Sequence, residues 1–279
     1  MNSGAMLIAR NNAQIDYIRQ AAFNANRIKQ YLNIPVTLLT DSVEIVEKLY
    51  NSVFDQVIEI PNDDPVSYRK YNDGTYFRKS LEFKNNSRSL VYDLSPYDET
   101  LLLDTDYIVS NDIFKNCFSQ KHDFLIYDTG IELSGWRNTA EFEYISSVGP
   151  KFYWATAVFF RKTDANKIYF ELVKHIQLNW SYYQNLYQIT SSLLRNDFIF
   201  SIAIHIMNGF TNGTFAKTMP GQLFYSIDRD LLIQLHSDDF LMLIEKENDF
   251  GNYSPMRIKG CNLHIMNKFS LDRIIKNDN

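Results

Sequence analysis

The run Glu99-Thr-Leu-Leu-Leu-Asp104-Thr-Asp106-Tyr-Ile-Val carries an apolar stretch that ends in two carboxylates one residue apart. A strand buried on both faces of a parallel sheet reads as a continuous hydrophobic run. Ligands of open α/β sheets bind outside the carboxyl ends of such strands. Leu101 to Leu103 therefore deliver Asp104 and Asp106 to the place where this architecture does chemistry. Two carboxylates on one short turn repel each other unless a cation lies between them, and hard divalent ions take oxygen ligands of this kind. In an arbitrary loop the same letters form a solvated turn or a helix cap. The turn Ser95-Pro96-Tyr97 before the strand, and Ile108-Val109 after it, favour a metal site that holds a phosphorylated substrate.

Two aspartates leave a metal short of donors, and Gly260-Cys-Asn-Leu-His264-Ile-Met-Asn-Lys268 offers another. A lone histidine in an apolar stretch is ordinarily a hydrogen-bonded structural residue, but neutral imidazole is also a common metal ligand. Carboxylates with imidazole suit Mn²⁺ better than Mg²⁺ or Ca²⁺. Lys268 is then either a surface lysine or a cation for a diphosphate. Arg78-Lys79 is expected to open a helix, where it is a solvated pair or a second phosphate contact. Asp197, ahead of Phe198-Ile-Phe, reads as a charge at a helix N-terminus, and His205 as packing. Asp128 closes a further strand.

The elements that must position these groups follow from periodicity. Met6 to Ala9 reads as a first strand, and Ile15, Ile18, Ala22, Ala25, Ile28 and Leu32 recur at helical spacing. Pro35 stops that helix and Val36 to Thr40 is the next strand, a βαβ unit whose right-handed crossover demands a parallel sheet. A third strand spans Gln56 to Ile60. Asn62 to Gly74 reads as a loop, Phe77 to Glu82 and Ser87 to Leu94 as helical, Thr100 to Leu103 as the carboxylate strand and Asp123 to Tyr127 as another. Phe152 to Phe160 is β-rich. Asp164 caps a helix running past Lys174, and helical pattern continues through His205. Leu223 to Ile227 is a short strand, and the chain closes in a charged tail. The first βα turn, Ala9-Arg10-Asn11-Asn12, lacks both the Gly-x-Gly-x-x-Gly fingerprint and a Walker loop. A nucleotide can still rest against it and near Asp41, a residue that otherwise serves as a helix cap before Val43.

Composition narrows the classes. With 279 residues, 45% of them apolar, a sizeable core is expected. The formal net charge of -5, with no long basic run, argues against a polynucleotide partner. Two distant cysteines, Cys117 and Cys261, argue against a disulfide framework and suit a reducing compartment. The longest apolar stretch, Phe198 to Met207, is about half a membrane span. A soluble, cytoplasmic protein is expected.

The order of these parts resembles a known family. Ser95-Pro96-Tyr97-Asp98-Glu99-Thr100-Leu-Leu-Leu-Asp104-Thr-Asp106 is similar to the Ser-Pro-[Phe/Tyr]-Asp-x-[Val/Thr]-Leu-[Tyr/Phe]-Leu-Asp-x-Asp segment of GT-A-fold glycosyltransferases of the glycogenin and lipopolysaccharide-galactosyltransferase group. His264-Ile-Met-Asn-Lys268 is similar to their C-terminal His-x-Met-x-Lys element. The resemblance implies a single α/β GT-A domain over residues 1–279, Rossmann-like with a mostly parallel mixed sheet. Residues 1–110 would form its nucleotide-binding part, and 111–279 its acceptor-binding part and metal-ligand segment. It implies a metal-dependent transferase using a UDP-sugar, with Mn²⁺ (or Mg²⁺) on Asp104, Asp106 and His264. Nucleotide contacts are implied at Ala9, Arg10, Asn11, Asp41, Arg78, Lys79, Asp104, Thr105 and Lys268. Trp154, Ala155 and Thr156 would lie beside the sugar and its saccharide or other hydroxyl acceptor, with Asp197 or Asp128 in the catalytic role. The chain departs from the family at Trp154-Ala-Thr-Ala157, in place of Asn-Ala-Gly, and at Phe198, in place of Gln after the aspartate. Two other readings stand beside this one. A phosphatase of the haloacid-dehalogenase type would use Asp104 and Asp106, with Asp238-Asp239 as its later acidic pair. A module could also bind a nucleotide-sugar without catalysis.

Overall fold

The computed structural model describes residues 2–62, 67–84, 86–135, 137, 142–147, 149–191 and 193–277. β1 (Ser3–Ala9), α1 (Tyr17–Leu32) and β2 (Val36–Thr40) make the expected βαβ unit, and α2 (Val43–Leu49) leads to β3 (Gln56–Glu59). The Asp16 carboxylate caps α1 by accepting from the Arg19 N–H at 3.0 Å, and Asn33, with φ of 56°, ends it in the left-handed conformation. The buried face of α1 carries Ile18, Ala22, Ala25, Ile28 and Leu32, the helical-period residues.

The next segment differs from expectation. Residues read as loop and then helix form a hairpin, β4 (Tyr68–Asp73) with β5 (Phe77–Glu82), antiparallel with Asp73 opposite Phe77. The signal is the Asp73-Gly74 turn: Gly74 has φ of 70°, which reverses the chain in a three-residue loop. Only Tyr71 and Leu81 are buried on the hairpin, in a small cluster with Ile15. So few apolar positions give no period to read.

A 3₁₀ turn (Asn86–Leu90) and α3 (Val91–Leu94) precede β6 (Glu99–Leu103), the carboxylate strand, and β7 (Tyr107–Ile108) follows it at once. Next come α4 (Lys115–Ser119), β8 (Phe124–Tyr127), β9 (Gly130–Glu132), β10 (Trp154–Arg161), α5 (Asp164–Leu178), α6 (Trp180–Leu186) and α7 (Asn196–Met207). The last third contains β11 (Leu223–Ser226), a meander of β12 (Leu231–His236), β13 (Asp239–Glu245) and β14 (Tyr253–Lys259), then β15 (Leu263–Ile265) and α8 (Lys268–Asn277). The expected charged tail is thus largely a helix. Leu271 and Ile275, four residues apart, bury its apolar stripe while α8 packs on α1 and β12.

The fold is mixed α/β with a parallel-dominated central sheet. Its strand order is β3-β2-β1-β6-β10-β8, with β1 parallel to β2 and β6, β2 parallel to β3, and β10 antiparallel to both neighbours. Leu101, Leu102 and Leu103 are buried on both faces, as the apolar run demands. A second sheet, β7-β15-β11-β9, begins where the first ends, because β7 leaves the carboxyl edge of β6. There Tyr107 lies opposite His264 across the β7–β15 pair. Among the described residues no helix is long and apolar enough to cross a membrane.

Candidate functional site

The strand pairing brings the three expected ligands together. Asp104 is the first residue after β6. Its N–H donates to the Thr156 carbonyl of β10 at 2.9 Å, and its carboxylate accepts from Thr156 Oγ1 at 2.5 Å and from the Arg88 guanidinium. Arg88 also donates to the Ala155 carbonyl. Asp106, one turn on, is buried. Its carboxylate pairs with the Lys268 ammonium and lies 3.3 Å from His264 Nε2. The Ile265 N–H donates to the Asp106 carbonyl at 3.0 Å, which extends the β7–β15 pairing and sets His264 beside the carboxylate. One ligand atom from each of Asp104, Asp106 and His264 lies within 4.8 Å of the others.

Electrostatics hold the Asp106 carboxylate ionised. Burial alone would raise the Asp106 carboxyl, but the Lys268 ammonium and His264 outweigh it and hold the group well below the usual carboxylate range. Lys268 is fixed in turn: it opens α8, and its carbonyl accepts from Gln20 of α1 at 3.2 Å.

The cluster lies in a cleft of about 760 Å³ at the carboxyl edge of the sheet. Of the residues singled out in the sequence, Arg10, Asn11, Asp104, Thr105, Asp106, Trp154, Ala155, Thr156, Asp197, His264 and Lys268 line it. The turn at Asn11 and Asn12 is built from side-chain caps in place of glycines. Asn11 Oδ1 accepts from the Ile18 N–H and Asn12 Oδ1 from the Ile15 N–H, at 3.0 and 2.9 Å. Asp197, at the start of α7, accepts from the Ala155 N–H at 2.9 Å and from Arg195 at 2.8 Å. The Arg195 guanidinium lies over the rings of Phe142, Phe152 and Phe198, 5.4 to 5.8 Å from their centroids.

Five of the residues expected at the nucleotide or in the catalytic role lie outside the cleft wall. Ala9 is buried at the end of β1. Asp41 does not cap α2, whose N-cap is Ser42; it is buried against Lys84 at 3.1 Å and Arg10 at 3.9 Å. Arg78 and Lys79 are both exposed, on β5 and not on a helix. The cations that reach the cleft from this part of the chain are Arg69, Lys70, Lys84 and Arg88. Asp128 faces a second cavity, of about 1170 Å³, and pairs with Lys151 at 2.6 Å. Burial would raise its carboxyl, but the bonds from Lys151 and Thr218 outweigh that and keep it below the ordinary value. His205 also lines that cavity, against the rings of Tyr187 and Phe210. Asp238 and Asp239 are absent from the cleft, and Asp239 is held by Arg257 at 2.6 Å on the meander.

Arg88 is the contact that sequence reading missed. Its one signal was a place in the segment leading into the carboxylate strand, since no spacing ties it to Asp104.

No protein-family model matches the sequence, and no curated protein does. Several solved structures are similar in fold. The glycosyltransferase GlyE of Streptococcus pneumoniae TIGR4 is 13% identical, with a TM-score of 0.41 over 78% of this chain and 45% of that one. This chain therefore spans under half the length of GlyE. The galactosyltransferase LgtC, solved with donor and acceptor sugar analogs, is 10% identical over 71% of this chain and 70% of that one, with a TM-score of 0.45. The bifunctional IspDF of Campylobacter jejuni is 11% identical over 80% of this chain and 50% of that one, with a TM-score of 0.40. Likeness at this level says nothing about the chemistry of the cleft, which rests on its own residues.

Proposed function

We propose that this chain is a metal-dependent glycosyltransferase that takes a sugar from a nucleoside-diphosphate donor, a UDP-sugar, and gives it to a hydroxyl acceptor. The observation that carries this reading is the convergence of Asp104, Asp106 and His264 in a cleft at the carboxyl edge of the sheet. Two carboxylates and an imidazole, drawn from the turn after β6 and from β15, make a donor set that fits a divalent ion such as Mn²⁺ (or Mg²⁺). Such an ion would be held by these three residues and would supply positive charge for the departing diphosphate.

The protein's own residues do the rest. Glycosyl transfer passes through an oxocarbenium-like state while negative charge grows on the leaving group. Lys268 and Arg88, both buried against the ligand carboxylates, place fixed positive charge where that growth occurs. Arg10 and Lys84 share Asp41 beside the first βα turn, where the nucleotide would rest. Asp197 is held by the Ala155 N–H and Arg195, so in this reading its carboxylate fixes the sugar side of the cleft.

The meander position of Asp239 weakens the phosphatase alternative. The binding-module reading keeps one specific support, that Asp128 and Asp197 are both already paired with cations. A thermal-shift screen of nucleoside diphosphates, with and without Mn²⁺, tests the proposal, since a ligand of the folded state raises its apparent stability. UDP should stabilise the protein only with the metal. Hydrolysis of a UDP-sugar under the same conditions separates a transferase from a binding module. Phosphate release from a generic ester with Mg²⁺, without any response to UDP, would contradict the proposal.

A further inference from the structure

Thr156, expected beside the sugar, lines the cleft with its side chain against the candidate metal-ligand cluster. It lies on β10, between β6 and β8, and is 2% exposed. Its backbone carbonyl accepts from the Asp104 N–H and its Oγ1 donates to Asp104 Oδ2 at 2.5 Å. The same Oγ1 is 3.3 Å from both ring nitrogens of His264. One hydroxyl therefore touches two of the three candidate ligands from a third element.

The chemistry of each group assigns its part. An ionised carboxylate only accepts, so the single hydroxyl hydrogen goes to Asp104. At 2.5 Å this is a short, charge-assisted bond that fixes the carboxylate's rotation. A histidine binds a cation through one nitrogen and needs an acceptor for the N–H of the other. Thr156 Oγ1, equidistant from the two nitrogens, is in line with neither N–H and meets the ring by packing alone.

We propose that Thr156 is a positioning residue whose hydroxyl orients the Asp104 carboxylate, beside the His264 ring, for a divalent cation. The inference rests on the metal-dependent reading given above and adds to it a residue of β10 that acts through a ligand carboxylate. It is tested by titrating MnCl₂ into the full chain, with no nucleotide present, and comparing wild type with Thr156→Val and Thr156→Ser. Valine keeps the shape and the β-branch but loses the hydroxyl; serine keeps the hydroxyl alone. Mn²⁺ affinity should fall by roughly 10–100-fold in Thr156→Val, the usual cost of losing such a partner, and stay within roughly threefold of wild type in Thr156→Ser. A metal-free melting curve checks that each variant is folded, and Thr156→Ala takes the place of valine should that variant fail. If wild type binds Mn²⁺ and the folded hydroxyl-free variant loses less than about tenfold, or serine does not restore binding, Thr156 does not orient the ligand carboxylate. If wild type itself binds no Mn²⁺, the metal-dependent function falls, and this inference with it.

Discussion

Asp106 carries opposed forces that decide how the site behaves. Its desolvation is offset only by Lys268 and His264, and both are nearly as buried as the carboxylate they face. Breaking such a pair from one side leaves the other charge uncompensated, at a cost of about 3–5 kcal/mol. Asp106→Asn should therefore lower stability at pH 7 by about that much, and Lys268→Met in the same chain should return most of it. Equilibrium denaturation of the four members of that cycle checks it. The pH dependence has a defined sign. A depressed carboxyl contributes stability that is complete above its unfolded value, about 3.9, and is lost as the pH falls below it toward the folded value. Wild type should thus lose stability below about pH 4 through a component that Asp106→Asn lacks. Arg88→Lys keeps the charge but not the fork that reaches both Asp104 and Ala155. Losing a hydrogen bond to a charged group costs about 1.5–3 kcal/mol, so donor binding should weaken roughly tenfold or more in a calorimetric titration. At this scale the ligand trio could be read from Asp-x-Asp after an apolar strand and a histidine near the end of the chain. Arg88 and the second role of Thr156 could not, because both depend on which strand lies beside β6.

The elements divide by how much apolar surface they bury. β1, α1, β2 and β6 are each buried along a full stripe or on both faces, and their hydrophobic period is written in the sequence. The β4–β5 hairpin and α8 bury a pair of apolar residues each on an otherwise charged stretch, so local pattern gave a loop, a helix and a tail. Register within the legible part is demanding. Gly4 of β1 sits under the Tyr97 ring, and a Cβ there would come within 2.3 Å of it. The ring cannot retreat without giving up the 2.8 Å contact of its hydroxyl with Thr37. Gly4→Ala should cost about 1–3 kcal/mol, as overpacking does, read as a lowered denaturation midpoint with unchanged slope.

At the scale of the molecule, two sheets meet at one turn. The central sheet ends at Asp104, the second begins at Tyr107, and the cleft opens at that junction. The far side of the second sheet is tied to the meander by charge. Arg137 bridges Glu132 of β9 to Asp230 at the start of β12 and donates to the carbonyl of Glu245 on β13. Asp230 and Glu132 are buried, so Arg137→Ala should destabilise by about 3–5 kcal/mol in thermal or chemical denaturation. No spacing in the sequence announces that network, since its members lie up to 113 residues apart, from Glu132 to Glu245. The cleft has the same character: its walls come from the first βα turn, the hairpin, the turn after β6, β10, α7 and the segment from His264 to Lys268.

The central claim is that Asp104, Asp106 and His264 together hold a cation that in turn holds a nucleoside diphosphate. Calorimetric titration of UDP measures this directly, into wild type with Mn²⁺, into wild type with a chelator, and into His264→Ala with Mn²⁺. Binding is expected in the first case only. Equal UDP affinity with and without the metal, or an unchanged affinity in His264→Ala, would contradict the account.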